Sequence, residues 1–296
     1  MKMNSKRSAI PALNFHLWQP CNMRCRYCFA GFDSATERLR AEKAHLQDRA
    51  EYVVRAAAAA GIRKLTFVGG EPLLCPWLTE LLTLANRLGM VTMVVSNGSR
   101  MSPGWIAEHA GCLGWAALSI DSLSRETNCR LGRVAHTGFV PDRGFYRDVL
   151  QVLARRGVRT KINTVVSSLN WEEDFTDFLR DVRPERWKVL QALHVKGEND
   201  RAFPALAVTV DQFASFVQRH ADLAGELMLA PEDNDAMLGS YLMVDPLGRF
   251  FTNADGSYAY SAPIWEVGWD QALKEVQVSE AKFIHRGGLY DWGAQP

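Results

Sequence analysis

Short apolar runs rich in β-branched residues alternate along this chain with longer segments whose apolar positions recur at three and four. The short runs are ALNFHLW (12 to 18), KLTFVGG (64 to 70), VTMVVSN (91 to 97), WAALSID (115 to 121), RTKINTVV (159 to 166) and RWKVLQAL (186 to 193). Runs of this length and make-up read as strands. Between them RAEYVVRAAAAAG, PWLTELLTLANRLG, FYRDVLQVLARRG and WEEDFTDFLRDV carry the helical period. Six strand–helix units in series predict an α/β fold with a parallel sheet covered by helices. The right-handed crossover rule curls it toward a partial (β/α)6 TIM-like barrel.

After about residue 200 the pattern changes. A further helix is expected in DQFASFVQRHADLA, followed by LMLAPEDN, and SYLMVDPLGRFFTN reads as two strands around a Pro-Leu-Gly turn. No repeat, low-complexity tract or Gly/Ser linker interrupts the chain. The expectation is one domain over 1–296, with a core barrel at about 12–200 and an extension at about 201–296 capping it.

At 47% hydrophobic and 23% charged residues, the composition is that of a soluble globular protein. A formal net charge of +1 gives no global pull toward nucleic acid or an anionic membrane, so any anion must be held by a local cluster of cations. The start lacks the apolar run of a signal peptide, and runs such as VTMVVS are too short to span a bilayer. The expectation is therefore a cytoplasmic protein with neither a membrane nor a nucleic-acid partner, and monomer is the default state. Cys75, Cys112 and Cys129 lie scattered among apolar neighbours, unlike a disulfide framework.

The other three cysteines are concentrated. Cys21, Cys25 and Cys28 stand at C-x3-C-x2-C spacing directly after the first strand. Three thiolates on one loop can each bind one iron of a 4Fe-4S cube and leave the fourth iron open. Structural zinc sites close with four ligands, usually as two separated pairs, and no second pair exists here. His16 could in principle supply a fourth ligand, but on a strand five residues upstream it is expected to point elsewhere.

Strand alternation points to a second site. Lys64 and Thr66 share a face, as do Lys161 and Asn163, and Arg186 and Lys188, because residues i and i+2 lie on the same side. Parallel barrel strands are normally near-continuous apolar runs. A buried lysine costs several kcal/mol unless it is paired, so cations on three strands imply a polyanion between them. A triphosphate carries about −4, taking each phosphate as roughly −1 to −2. Lys64, Lys161, Lys188 and Arg286 would balance it.

The cysteine spacing, with Tyr27 before the last cysteine, resembles the radical S-adenosylmethionine (SAM) superfamily. Gly69, Gly70, Glu71 and Pro72 match its Gly-Gly-Glu-Pro motif after the second strand, where glycines let the backbone approach a ligand closely. The resemblance implies SAM contacts from Tyr27, Phe29, Gly69, Gly70, Glu71, Asn97, Ser119 and Arg133, with Arg133 pairing the SAM carboxylate. More specifically, CNMRCRYCF, GGEP, SNGS, KIN-x-V with N-x-EED, RWKVLQ, GEN, SYLMVD with RFFTN, and RGG-x-Y-x-W resemble the viperin family over nearly the whole chain after residue 14.

That family converts a nucleoside triphosphate to its 3′-deoxy-3′,4′-didehydro form, an antiviral chain terminator. The resemblance implies a fold of the radical SAM type, a 4Fe-4S cluster, SAM, and an electron donor of flavodoxin or ferredoxin type. It places triphosphate contacts at Lys64, Lys161, Asn163, Arg186, Lys188, Tyr241 and Arg286. Hydrogen leaves C4′ and the 3′-hydroxyl leaves as water, with Tyr241, Lys161 or Lys188 as candidate proton donors. CTP is the favoured substrate, with UTP and GTP next. Val68 and Ala30 depart from animal viperins, which carry a serine and a polar residue there. The absence of an amphipathic leader and the Gly-Ala-Gln-Pro ending predict a soluble protein that does not use the animal protein's cluster-delivery partner. The rivals are a peptide-modifying radical SAM enzyme, usually marked by further cysteines after the barrel, and an inactive iron–sulfur scaffold. No cysteine follows Cys129.

Overall fold

All six predicted strands form. They are β1 (Ala12–Trp18), β2 (Lys64–Gly69), β3 (Val91–Ser96), β4 (Trp115–Ser119), β5 (Arg159–Val166) and β6 (Arg186–Gln191), each parallel to the next. The computed structural model describes residues 10–293. The basic start and the last three residues, on which the two expectations about the chain's ends rest, lie outside the described residues.

The two faces of the sheet divide by chemistry. Leu13, Phe15, Leu65, Phe67, Leu118, Ile162, Trp187 and Val189 point into the core, where helices Leu46–Ala59, Leu78–Arg87 and Arg143–Arg155 bring Val53, Leu82, Tyr146 and Leu150 against them. The alternate positions Asn14, Thr66, Ser119, Lys161, Asn163, Arg186 and Lys188 line one cavity. A fully buried Leu or Phe contributes about 1.5–3 kcal/mol. A one-residue slip would swap the faces of a whole strand, so the register is strongly fixed.

The extension does more than cover the barrel. Residues Met228–Glu232 form β7, a seventh parallel strand paired with β6. Strands β8 (Met243–Val244) and β9 (Arg249–Thr252) are the antiparallel pair expected around the Pro-Leu-Gly turn, and β10 (Ala259–Pro263) continues from β9. Because β8 also pairs in parallel with β1, the ten strands make one sheet, β10-β9-β8-β1-β2-β3-β4-β5-β6-β7.

Residues 287 to 293 close the end of the barrel where the strands begin. Trp115, first in β4, donates its indole N–H to the Trp292 carbonyl at 2.9 Å. Arg159, first in β5, donates to the Asp291 carbonyl at 3.1 Å, and Arg186, first in β6, to the Gly287 carbonyl at 2.9 Å. Lys64, first in β2, meets the Tyr290 hydroxyl. The cysteine loop leaves the opposite end, after Trp18, and its Phe29 and Ala30 line the cavity from there. The cavity, of about 280 Å³, therefore runs the length of the barrel.

Candidate active site

The residues expected at a triphosphate, Lys64, Lys161, Asn163, Arg186, Lys188, Tyr241 and Arg286, all line this one cavity. Phe29, Gly69 and Ser119 line it as well, as do Val68 and Ala30, the two departures. Five cations thus face a common space. Burial, with added repulsion from Arg186, Lys188 and Arg286, pushes the Lys64 ammonium well below the usual lysine range. Lys161 is lowered in the same way by burial and then by Lys188 and Lys64.

These cations are not left to an external anion alone. The Tyr290 hydroxyl bonds Lys64, whose ammonium also lies 4.5 Å from that ring's centre. The Arg186 guanidinium stacks 4.1 Å over Tyr290. Arg286 donates to the Ser240 carbonyl at 3.1 Å and stacks 3.7 Å over Tyr241. Lys161 differs from the rest. Among the described residues it has no hydrogen-bond or ion-pair partner, and the side-chain oxygen of Asn163, two residues on, is buried without one too.

Sequence reasoning missed the Tyr290 contacts to Lys64 and Arg186 and, more consequentially, a buried acid. Glu232, the last residue of β7, is fully buried and lies 2.8 Å from the Lys188 ammonium and 3.4 Å from Arg286, and it accepts the Tyr241 hydroxyl. Burial raises its carboxyl, but Lys188 and Arg286 outweigh that and hold it below the usual carboxylate range. The signal was weak: MLAPE is short, with a proline and an acid at its end, and only pairing with β6 makes it a strand.

The cysteine loop is pinned from all sides. Gln19 donates to the carbonyls of Gly31 (3.0 Å) and Phe32 (2.9 Å). Asn199 donates to the Tyr27 carbonyl at 3.0 Å, the Tyr258 hydroxyl to the Phe29 carbonyl at 2.9 Å, and the Glu198 carboxylate accepts the Phe32 N–H at 3.2 Å. Asn97 donates to the Asn22 side chain at 2.9 Å, and the Arg26 N–H bonds the Leu131 carbonyl at 2.9 Å. The SNGS and GEN motifs are thus accounted for as brackets of this loop.

The trio fits a cube. Among the described residues no three His, Cys, Asp or Glu side chains converge closely enough to hold a single metal ion. Thiolates that take different irons of a cluster do not need to converge on one point. Desolvation raises Cys21 to about 11 and Cys28 to about 12, and the thiols raise one another further. They are close enough to repel as thiolates, a repulsion that the positive charge of bound irons would reverse.

Several residues expected to touch SAM have other partners here. A Cβ on Gly69 would overlap the Trp18 carbonyl oxygen, and one on Gly70 would lie 2.7 Å from the Pro20 carbonyl carbon. The close approach these glycines permit within the described residues is to the chain's own backbone at Trp18, Gln19 and Pro20. The Glu71 carboxylate accepts from Ser96 Oγ (2.8 Å), Asn97 N (2.9 Å) and Leu73 N (3.1 Å), tying the ends of β2 and β3 together. Arg133 pairs with Asp121 at 2.6 Å, and Tyr27 donates its hydroxyl to the same carboxylate. Arg133 Nη1 also lies 3.9 Å from Cys25 Sγ, which places the guanidinium beside the trio. His16, weighed as a fourth ligand, points into the cavity instead, between the edges of Phe32 and Phe251.

A parallel half-barrel with three cysteines on the loop after β1 defines a radical SAM protein, and residues 18–182 match the model of the Radical SAM superfamily. That superfamily uses a 4Fe-4S cluster and SAM. The chain is 44% identical over 292 residues to the S-adenosylmethionine-dependent nucleotide dehydratase of Flammeovirga pacifica, covering 98% of this chain and 99% of that one. It is 47% identical over 287 residues to that of Lacinutrix mariniflava, where it covers 96% of this chain but spans only 59% of the relative's length. The dehydratase RSAD2 of Danio rerio is 31% identical over 95% of this chain and 78% of its own. Among solved structures, native anSMEcpe with bound AdoMet superposes with a TM-score of 0.66 at 12% identity, over 93% of this chain and 82% of that one. Streptococcus suis SuiB bound to precursor peptide SuiA gives 0.62 at 16%, over 81% and 58%. These two likenesses speak to the fold. The chain belongs to the S-adenosylmethionine-dependent nucleotide dehydratases, the viperin-like family of radical SAM proteins. Among the described residues no helix is long and apolar enough to cross a membrane.

Proposed function

We propose that this protein removes water from a nucleoside triphosphate, giving the 3′-deoxy-3′,4′-didehydro nucleotide, with CTP as the favoured substrate and UTP and GTP next. The observation that carries the reading is the convergence of Lys64, Lys161, Arg186, Lys188 and Arg286 on one cavity that also reaches the cysteine loop. A peptide substrate would give no reason for five cations in one cavity.

Cys21, Cys25 and Cys28 would hold the cluster, and Arg133 and the backbone around Gly69 and Gly70 would hold SAM. When bound, the pair supplies a 5′-deoxyadenosyl radical that takes hydrogen from C4′ of the ribose. The protein's own residues bind and orient. The cations at the strand-start end take the triphosphate, which leaves the ribose in the middle of the cavity beside the neutral side chains of Asn14, Thr66, Ser119 and Asn163. The strap at residues 287 to 293 shuts water out behind the phosphates. A proton for the departing 3′-hydroxyl must come from a group within hydrogen-bond reach. Electrons would come from a flavodoxin- or ferredoxin-type donor.

The test is an anaerobic assay of the cluster-loaded protein with SAM, reductant and CTP, UTP, GTP or ATP in separate reactions, read by mass spectrometry. The reading expects 5′-deoxyadenosine together with a nucleotide lighter by one water. Equal deoxyadenosine in every reaction with unaltered nucleotides would overturn it.

A further inference from the structure

Glu232 is a buried charge against the cation-lined wall of the cavity that the proposed reaction does not use. It stands behind the cavity wall at the end of β7, and three groups of that wall meet on it: Lys188 at 2.8 Å, Arg286 at 3.4 Å and the Tyr241 hydroxyl. Held ionised by those cations, the carboxylate can only accept. Tyr241 has a single proton, and it points at Glu232. The Tyr241 oxygen in turn accepts from Lys188, so Tyr241 has no proton to offer the cavity. Lys188 gives one N–H to Glu232 and one to Tyr241, and its ammonium carries a third.

We propose that Glu232 is a positioning residue that removes Tyr241 from the acid role and orients Lys188 to give its third proton to the departing 3′-hydroxyl. This rests on the nucleotide-dehydration reading above. Once hydrogen has left C4′, the C3′–O bond breaks with its electron pair on oxygen, and the Lys188 ammonium gives that oxygen the proton that makes water. One electron from a reduced carrier of the flavodoxin or ferredoxin class then completes the C3′=C4′ product. The Lys188 amine recovers its proton from solvent.

The surroundings of Lys188 support the assignment. It faces Glu232 on β7, Tyr241 before β8, Arg286 beyond the last helix, Arg186 on its own strand, Lys161 on β5 and Lys64 on β2. Burial lowers the ammonium to about 8, against the opposing pull of Glu232, which leaves it an acid poised near neutral pH. Removing one charge at this range shifts a neighbour by about 1–3 pKa units.

The experiment compares wild type, Glu232→Gln and Glu232→Asp for dehydrated nucleotide per 5′-deoxyadenosine across pH 6 to 9, and for CTP binding by calorimetry without reductant. In Glu232→Gln the fall of product yield with rising pH should move to lower pH, about tenfold in yield for each unit. CTP binding should be unchanged or tighter, and Glu232→Asp should keep the wild-type profile. A wild-type profile in Glu232→Gln overturns the inference while dehydration stands. Parallel loss of CTP binding and thermal stability in both variants assigns Glu232 a structural role only, and overturns it too. If the wild type itself yields no dehydrated nucleotide, the reading beneath it has failed.

Discussion

The guanidinium of Arg133 lies 2.6 Å from the carboxylate of Asp121, and neither side chain is more than 3% exposed. Asp121 also accepts the Val165 N–H at 2.7 Å, so this pair links the cysteine side of the barrel to β5. Removing one partner of a buried ion pair leaves the other charge uncompensated, at a cost of about 3–5 kcal/mol. Asp121→Asn should lose that much stability in chemical denaturation. Arg133→Met in the same background should recover part of it, and a second loss added in full would mean the two residues act independently.

At the end of β2 the backbone runs close against the Gln19–Pro20 segment. Gly70→Ala should cost about 3 kcal/mol, because its Cβ would lie against the Gln19 and Pro20 carbonyls with only backbone to yield. The damage should appear as lost iron as well as lost stability, since Pro20 adjoins Cys21. Gly111→Ala, with nothing near its Cβ, should change stability by less than about 0.5 kcal/mol. Equal effects from the two substitutions would show that the contact at β2 relaxes.

Much of this arrangement could be read from the residues. Strand lengths and the cavity-facing cations followed from alternation, because a lysine at i and an asparagine at i+2 can share only one face of a strand. The trio followed from spacing. What stayed hidden lies between residues far apart in the chain. Glu232 joins the site only through β7, the Tyr290 strap only by folding across the starts of β2 to β6, and Asp121 only through Arg133. Gly69, Gly70, Glu71 and Asn97 carry motif positions whose observed partners are the protein's own backbone and side chains, a distinction that no motif makes.

Loss of any one cysteine of the trio should abolish the cluster, whereas the other three should be dispensable. Cys21→Ser, Cys25→Ser and Cys28→Ser are each expected to lose the iron–sulfur absorbance after anaerobic reconstitution. Cys75→Ser, Cys112→Ser and Cys129→Ser should keep full iron, because those side chains lie outside the loop. Retained iron in Cys28→Ser would show that another ligand has taken its place.

The lysines of the cavity make stability depend on pH. For a lysine lowered in the fold, the unfolded chain binds more protons between the two pKa values, so stability rises with pH in that window. For Lys188 the window runs from about 8 to 10.5, and Lys64 and Lys161, both lowered well below the usual lysine range by burial, add to the rise. Thiols raised from 9.0 to about 11 and 12 oppose the trend above pH 9. The nucleotide-free protein should therefore gain stability from pH 7 to 9 and then level off. Lys161→Met replaces an unpartnered buried cation, and should raise stability at pH 7 by about 0.5–2 kcal/mol while flattening the rise. A destabilised Lys161→Met would mean that this lysine has a partner in solution.

Five cations and one carboxylate leave the cavity with four uncompensated charges, close to what a triphosphate carries at roughly −1 to −2 per phosphate. Stabilisation by nucleotide should accordingly fall in the order CTP, CDP, CMP. At one hundred times its Kd, CTP should add about 2.7 kcal/mol. The loss should come in steps, since each missing phosphate leaves a buried cation facing no anion. Inorganic triphosphate should compete with CTP, because in the proposed reading the cations hold phosphate and not the base. Salt should weaken the effect less than it weakens surface pairs, as buried charges are poorly screened. Thermal shifts for the four ligands at two salt concentrations give the answer. Equal stabilisation by CMP and CTP would show that the cations serve the fold rather than a triphosphate.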